Sequence, residues 1–434
     1  MQRGVPGTGH FPALRSAERN STIFGPMDPY QILILLCVLV IFSYLFDLFA
    51  KRTRLPSVLL LLILGIAIRA AADTWGVRTF DVQLLLATLG NIGLILIVFE
   101  GAMELTYEPE KRSITVKALI SSFFLLLLTS AAISAILYFI TGADLVQCIA
   151  NAIPLSVISS AVAIPSAGGL SSRNKEFVVY ESSFSDILGI VFFNFIVSNE
   201  TFGFKAFTGL GGEIISVLVL SAVFSMALLW LLGRIKHKVK FFLILAILVL
   251  VYAVGKQVHL SSLVVVVAFG MFMANAENIP FPWFRQRFLY GEFPRDLEQF
   301  HSLSRESAFL IRTLFFVLFG FSVVISQILV VDIAILGGIM LVATYAIRAV
   351  FLKVALRVDL APLVYMTPRG LISILLYFSL PEELLIPQVS TGLLFLVVLG
   401  TCLIMAMGLI ASSGKSPKTR NVGGSTSAPP VAQE

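Results

Sequence analysis

Two carboxylates stand five residues apart in a stretch that belongs in lipid. Residues Glu181 to Asp186 read Glu-Ser-Ser-Phe-Ser-Asp, inside an apolar run from about Phe177 to Val197. A run of that length crosses a bilayer as a helix. Each carboxylate placed at mid-membrane costs roughly 2.5–3.5 kcal/mol on insertion scales, so each needs a partner or a use. The cations at comparable depth are Arg312, Arg348 and Arg369. Five residues on a helix separate two side chains by about 140°, so Glu181 and Asp186 need different partners. Ser182 and Asp186 are one turn apart and share a face. A hard monovalent cation takes oxygen ligands, and Asp186, Ser182 or Ser185, and backbone carbonyls around Ala163 can supply them. Burial penalises the charged form of a carboxyl. Asp186 then holds either a proton or a cation, and that competition is the simplest exchange chemistry. Glu181 is expected to stay ionised beside Arg348, either as a structural ion pair or as plain packing. Arg369 is expected to offset the negative C-terminal ends of half-helices, or to repel cations from leak paths.

The elements that position these groups follow from hydropathy. The chain has 434 residues, 58% hydrophobic and 13% charged, which fits a polytopic all-α membrane protein rather than a soluble domain. The ~20-residue apolar criterion gives about thirteen spans. Their approximate limits are 30–50, 56–72, 82–104, 114–140, 145–169, 176–198, 213–233, 240–255, 260–276, 307–327, 332–355, 362–380 and 389–411. Residues 1–29 form a polar tail, with a possible start at Met27, and 412–434 a Ser/Gly/Pro-rich tail; both read as disordered, flanking a transmembrane domain over 30–411. Basic residues follow the odd-numbered spans, which predicts a cell-membrane protein with its N-terminus outside and its C-terminus in the cytoplasm. Arg3, Arg15 and Arg19 oppose that orientation, and a start at Met27 removes them. The long loop 277–306 reads as an amphipathic cytoplasmic segment joining two halves.

Proline interrupts two of the spans. The fifth carries Pro154 and then Pro165 within Ile164–Gly169; the twelfth carries Pro368, Arg369 and Gly370. Proline lacks a backbone donor and clashes with the preceding turn, so breaks are expected at Pro165 and at Pro368–Gly370. With the seventh span as a linker, the broken spans hold equivalent places in two halves of opposite orientation. That is the pattern of a secondary transporter built from two inverted repeats with two crossing interrupted helices. Arg312, Glu100 and Glu104 lie nearer span ends, where snorkelling accounts for them.

Other classes are disfavoured. Cys37, Cys148 and Cys402 fall in apolar spans without metal spacing, and the histidines have no second ligand at helical spacing, so neither a metal site nor a cofactor is expected. The net charge of +6 sits in short loops and forms no nucleic-acid patch. No nucleophile–base pair or phosphate loop marks an enzyme.

Several motifs in order carry a resemblance. Leu55-Pro56-Ser57-Val58 with Gly65 is similar to a second-span pattern. Phe99-Glu100-Gly101-Ala102-Met103-Glu104-Leu105 is similar to Phe-Glu-Gly-Gly-Leu-x-Leu, Glu181–Asp186 to Glu-Ser-Leu-Leu-Asn-Asp, and Pro368-Arg369-Gly370 to a Leu-Arg-Gly break. Arg348 stands where a membrane-embedded arginine is expected. From about residue 30 to 411 the chain resembles the monovalent cation:proton antiporters of the sodium/hydrogen exchanger type. The resemblance implies exchange of Na+, or Li+ or K+, for H+, an elevator-like alternating access and a homodimer. It implies Asp186 as the ion-binding acid and Glu181 with Arg348 as the structural pair. Two positions depart from the pattern. Ser185 replaces Asn, and Ala163-Ile164-Pro165 replaces Thr-Asp-Pro, which bears on the ion carried. The alternatives are a sodium-coupled organic-anion symporter on the same kind of fold, and a non-transporting sensor or channel subunit.

Overall fold

The computed structural model describes residues 29–53, 56–74, 82–198, 219–231, 234, 240–257, 262–289, 291–323 and 330–413. Both tails expected to be disordered, and Met27, lie outside them, apart from the ends of the first and last helices. The described residues are helical, with no strand among them. In chain order the helices are α1 (Pro29–Thr53), α2 (Ser57–Thr74), α3 (Val82–Met103), α4 (Arg112–Thr141), α5 (Leu145–Ser156), α6 (Ser160–Ser166), α7 (Ser172–Ser198), α8 (Val219–Leu231), α9 (Lys240–Gln257), α10 (Ser262–Asn275), α11 (Pro282–Phe288), α12 (Phe293–Ser322), α13 (Val331–Phe351), α14 (Leu371–Phe378) and α15 (Thr391–Ser413).

Six helical stretches are long and apolar enough to cross a membrane, or seven if α10 and α11, bent by 106°, are one span. A count of thirteen is not reached among the described residues. The long loop of the sequence reading is mostly helix. Phe293, Asp296, Phe300 and Ser304 recur at helical spacing and are buried, so α12 begins well before the apolar stretch that marks it in the sequence.

The helices sort into two bundles. In one, α12 packs on α2 and α3, with α1 and α10 beside them. In the other, α4 packs on α5, α7 and α13, α6 lies on α7, and α13 lies on α15. Lipid removes the hydrophobic drive between helices, so close backbone approach has to hold them together. Gly65 on α2 and Gly320 on α12 allow it: a Cβ on Gly65 would strike the Val317 carbonyl, and one on Gly320 the Leu62 carbonyl.

Both interrupted spans are present, with one correction. The fifth span breaks at 157–159, between α5 and α6, and Pro165 lies inside α6. Pro154 is the proline that precedes the gap, three residues before α5 yields to extended backbone at Val157. The twelfth span breaks where expected. Pro368, Arg369 and Gly370 join a single 3-10 turn, Leu363–Tyr365, to α14.

Candidate functional site at the crossing of the broken spans

The two gaps touch. The Ser159 N–H donates to the Pro368 carbonyl at 2.9 Å. At Gly370 an added Cβ would lie 2.7 Å from both Ser159 Oγ and Val162 Cγ2, so only a residue without one lets the strands meet this closely. Unpaired backbone at this depth is tolerated because protein surrounds it.

Helix α7 crosses behind the fifth-span gap and holds it with two side chains. Ser185 Oγ accepts the Ile158 N–H at 2.9 Å, and Asp186 Oδ2 accepts the Ser160 N–H at 3.1 Å. Asp186 thus receives the first N–H of α6, where the helix dipole favours negative charge. Its other oxygen, Oδ1, is buried and has no hydrogen-bond partner. The hydroxyls of Ser159 and Ser373 are likewise buried without partners.

One sequence expectation changes here. Ala163 offers no loose carbonyl: it lies within α6, its N–H bonds to Ser159 O, and its carbonyl accepts the Ala167 N–H. The gap presents the Ser160 N–H to Asp186, because a helix start exposes its first donors. Ser182 donates its hydroxyl proton to its own helix, at Val178 O 2.8 Å away, which leaves its oxygen lone pairs for an acceptor role.

Glu181 lies elsewhere on α7. Arg348 Nη2 donates to Glu181 Oε2 at 2.7 Å and Nη1 to Oε1 at 3.3 Å, both side chains being almost fully buried. Ser121 on α4 donates to Oε1 at 2.6 Å, and Arg348 Nε donates to Leu363 O at 2.9 Å. The pair ties α4, α7 and α13 to the turn that opens the twelfth span, with every charged end satisfied. Arg369 holds the end of α5 that leads into the fifth-span gap. Its Nε donates to Leu155 O at 2.7 Å, its Nη1 to Thr367 Oγ1 at 3.1 Å, and its backbone N–H to Thr401 Oγ1 at 2.9 Å. A cation against the last carbonyls of α5 offsets the negative end of that half-helix.

Sequence reasoning passed over one charged pair. Arg312 Nη2 meets Glu100 Oε2 at 3.2 Å, with side chains 14% and 11% exposed. They do not snorkel. Glu100 lies within the Phe99–Leu105 motif, and α12 carries Arg312 to it because these two helices pack side by side.

The family described as "Sodium/hydrogen exchanger, transmembrane" matches residues 36–411. The chain belongs to the sodium/hydrogen exchanger family. That is a family of membrane ion transporters, and it covers both broken spans and every residue described at the crossing. Compared with curated proteins, the chain matches none. Among solved structures it is similar to the sodium proton antiporter MjNhaP1 from Methanocaldococcus jannaschii at pH 8, at 18% identity and a TM-score of 0.66, over 89% of this chain and 100% of that one. It is also similar to the structure from an electron-microscopy map of that antiporter, at 18% identity and a TM-score of 0.64, over 89% of this chain and 96% of that one. The likeness is one of fold.

Proposed function

We propose that this exchanger moves a monovalent cation, Na+ or alternatively Li+ or K+, against H+ by alternating access, with cation and proton competing for Asp186. One observation carries the reading. Asp186 has one oxygen anchored to the gap and one buried oxygen with no partner. The anchored oxygen fixes the carboxyl in place. The free one takes a proton or serves as a ligand for a hard cation, and it cannot do both at once.

Glu181 and Arg348 hold the bundle that carries Asp186, and Arg369 and Gly370 hold the crossing. Two buried carboxylates near the crossing, Asp186 and Glu100, stand against an organic-anion substrate. The basic loops support a cytoplasmic C-terminus, and the family resemblance supports a homodimer. The test is cation-driven dequenching of a pH dye in everted vesicles, scanned over Na+, Li+, K+ and pH. Asp186→Asn abolishes the signal at normal expression; a fully active variant overturns the reading.

A further inference from the structure

Arg312 is a mostly buried cation that the exchange reading leaves without a task. It stands on α12, in the bundle with α2 and α3. One arm of its guanidinium, Nη2, binds Glu100 of that same bundle. The other arm, Nη1, crosses the seam to Ala161 O of α6 at 3.3 Å, in the bundle with α7. The acceptor is open for a covalent reason. The N–H that would cap the Ala161 carbonyl in α6 belongs four residues on, to Pro165, which has none. The proline that does not break the span therefore leaves a carbonyl for the arginine.

A second observation points the same way. Arg312 Nε is buried and unpartnered, as is Asp186 Oδ1. Ser160, whose N–H binds Asp186, is the residue before Ala161, so the contacts of Arg312 and Asp186 fall on consecutive residues of α6. Arg312 and Glu100 are thus charged side chains of the other bundle that reach the α6 segment holding Asp186, through the Arg312 bonds to Ala161 O and to Glu100.

The geometry points to Arg312 as a latch on the unloaded carrier. When Asp186 bears neither proton nor cation, its bare carboxylate attracts the guanidinium, and α6 with its bundle stays tied to α12. A proton on Asp186 removes the attraction, and a bound cation repels the arginine; either loading frees the bundle to move. The latch keeps the empty, charged carrier from crossing, so that one ion moves only in exchange for the other. Glu100 competes with Asp186 for the arginine and keeps the latch weak enough to open. Arg312 is a positioning residue here, since it acts on the moving bundle and not as an ion ligand. This inference rests on the exchange reading.

The experiment uses the full chain in proteoliposomes with Na+ as probe. Arg312→Gln removes the latch, and Glu100→Gln removes its competitor. Arg312→Gln is expected to lower KM for Na+ by roughly threefold or more, from loss of a repelling charge. It also gains Na+ efflux that needs no trans cation and follows an imposed membrane potential, which wild type lacks at alkaline pH. Glu100→Gln is expected to raise KM by a similar factor without such efflux. Unchanged KM and no slip in a folded, exchanging Arg312→Gln overturns the latch and describes a packing pair only. A KM that is unchanged or lowered in Glu100→Gln also overturns it. If Arg312→Gln is not recovered folded, Glu100→Gln decides alone, a raised KM supporting the latch. Wild type without exchange, or an active Asp186→Asn, sinks the exchange reading itself; with those controls intact, the two variants judge the latch alone.

Discussion

Ser159 and Pro368 are joined by a main-chain hydrogen bond of 2.9 Å, so the gaps of the two broken spans are one structure and not two. Pro368 has a carbonyl to give and no N–H to satisfy, which suits it to the accepting side of such a contact.

That contact depends on the missing side chain at Gly370. Gly370→Val drives carbon into Ser159 and Val162, and overpacking of this kind costs about 1–3 kcal/mol. The expected outcome is a lower melting temperature in detergent and slower exchange, with Gly370→Ala milder in both. A Val variant with wild-type melting and rate would mean that the gaps separate freely.

Glu181 and Arg348 share one buried ion pair. Removing either partner strands the other, a loss of typically ~3–5 kcal/mol. Glu181→Ala and Arg348→Ala are each expected to lower expression and melting temperature. The double variant should lose clearly less than the two losses added together. Strict additivity would separate the two residues energetically despite their 2.7 Å contact.

Ser185 spends its oxygen on the Ile158 N–H. Ser185→Ala leaves that buried donor unpaired at a cost of about 1–3 kcal/mol, so melting temperature should fall. Ser185→Asn keeps an acceptor and adds a polar arm beside Asp186. Its expected effect is a shifted KM for Na+ with the fold retained; a KM identical to wild type would show that the position does not touch the ion.

His301 lies on the part of α12 ahead of the apolar stretch, beside Arg305. Burial and then the Arg305 charge lower its pKa below the ordinary 6.5. The folded chain therefore takes up this proton less readily than the unfolded chain. Stability falls as pH drops below about 6.5, through the window down to the lowered folded pKa. His301→Gln should flatten that part of a melting-temperature profile; an unchanged slope would assign the acid sensitivity to other groups.

What could be read from residue order alone has a physical limit. Mid-membrane charge is costly enough that Glu181, Asp186 and Arg348 announce themselves, and only a few cations were available to pair. The break at Pro368–Gly370 was equally legible, because proline and glycine adjoin there. The fifth-span break was misassigned to Pro165, since a proline marks a lost donor but not which side of it unwinds. Pro165 is tolerated inside α6 because an arginine from another helix serves the carbonyl it abandons. That partner is distant in sequence, 151 residues from Ala161, and no local pattern reveals it. Arg312 and Glu100 looked peripheral because their places near span ends say nothing about what packs over them. The donor at Asp186 is hidden for a similar reason: the Ser160 N–H faces it only because a helix starts there.

The bond from Ser160 makes the Asp186 carboxyl a structural part as well as the proposed carrier. Truncation and amide replacement will therefore disagree. Asparagine retains an oxygen for the Ser160 N–H and silences the charge alone, whereas alanine also strips the lid from a helix only seven residues long. Silent phenotypes from alanine scans at this position measure architecture and transport together, and only the isosteric amide isolates the second.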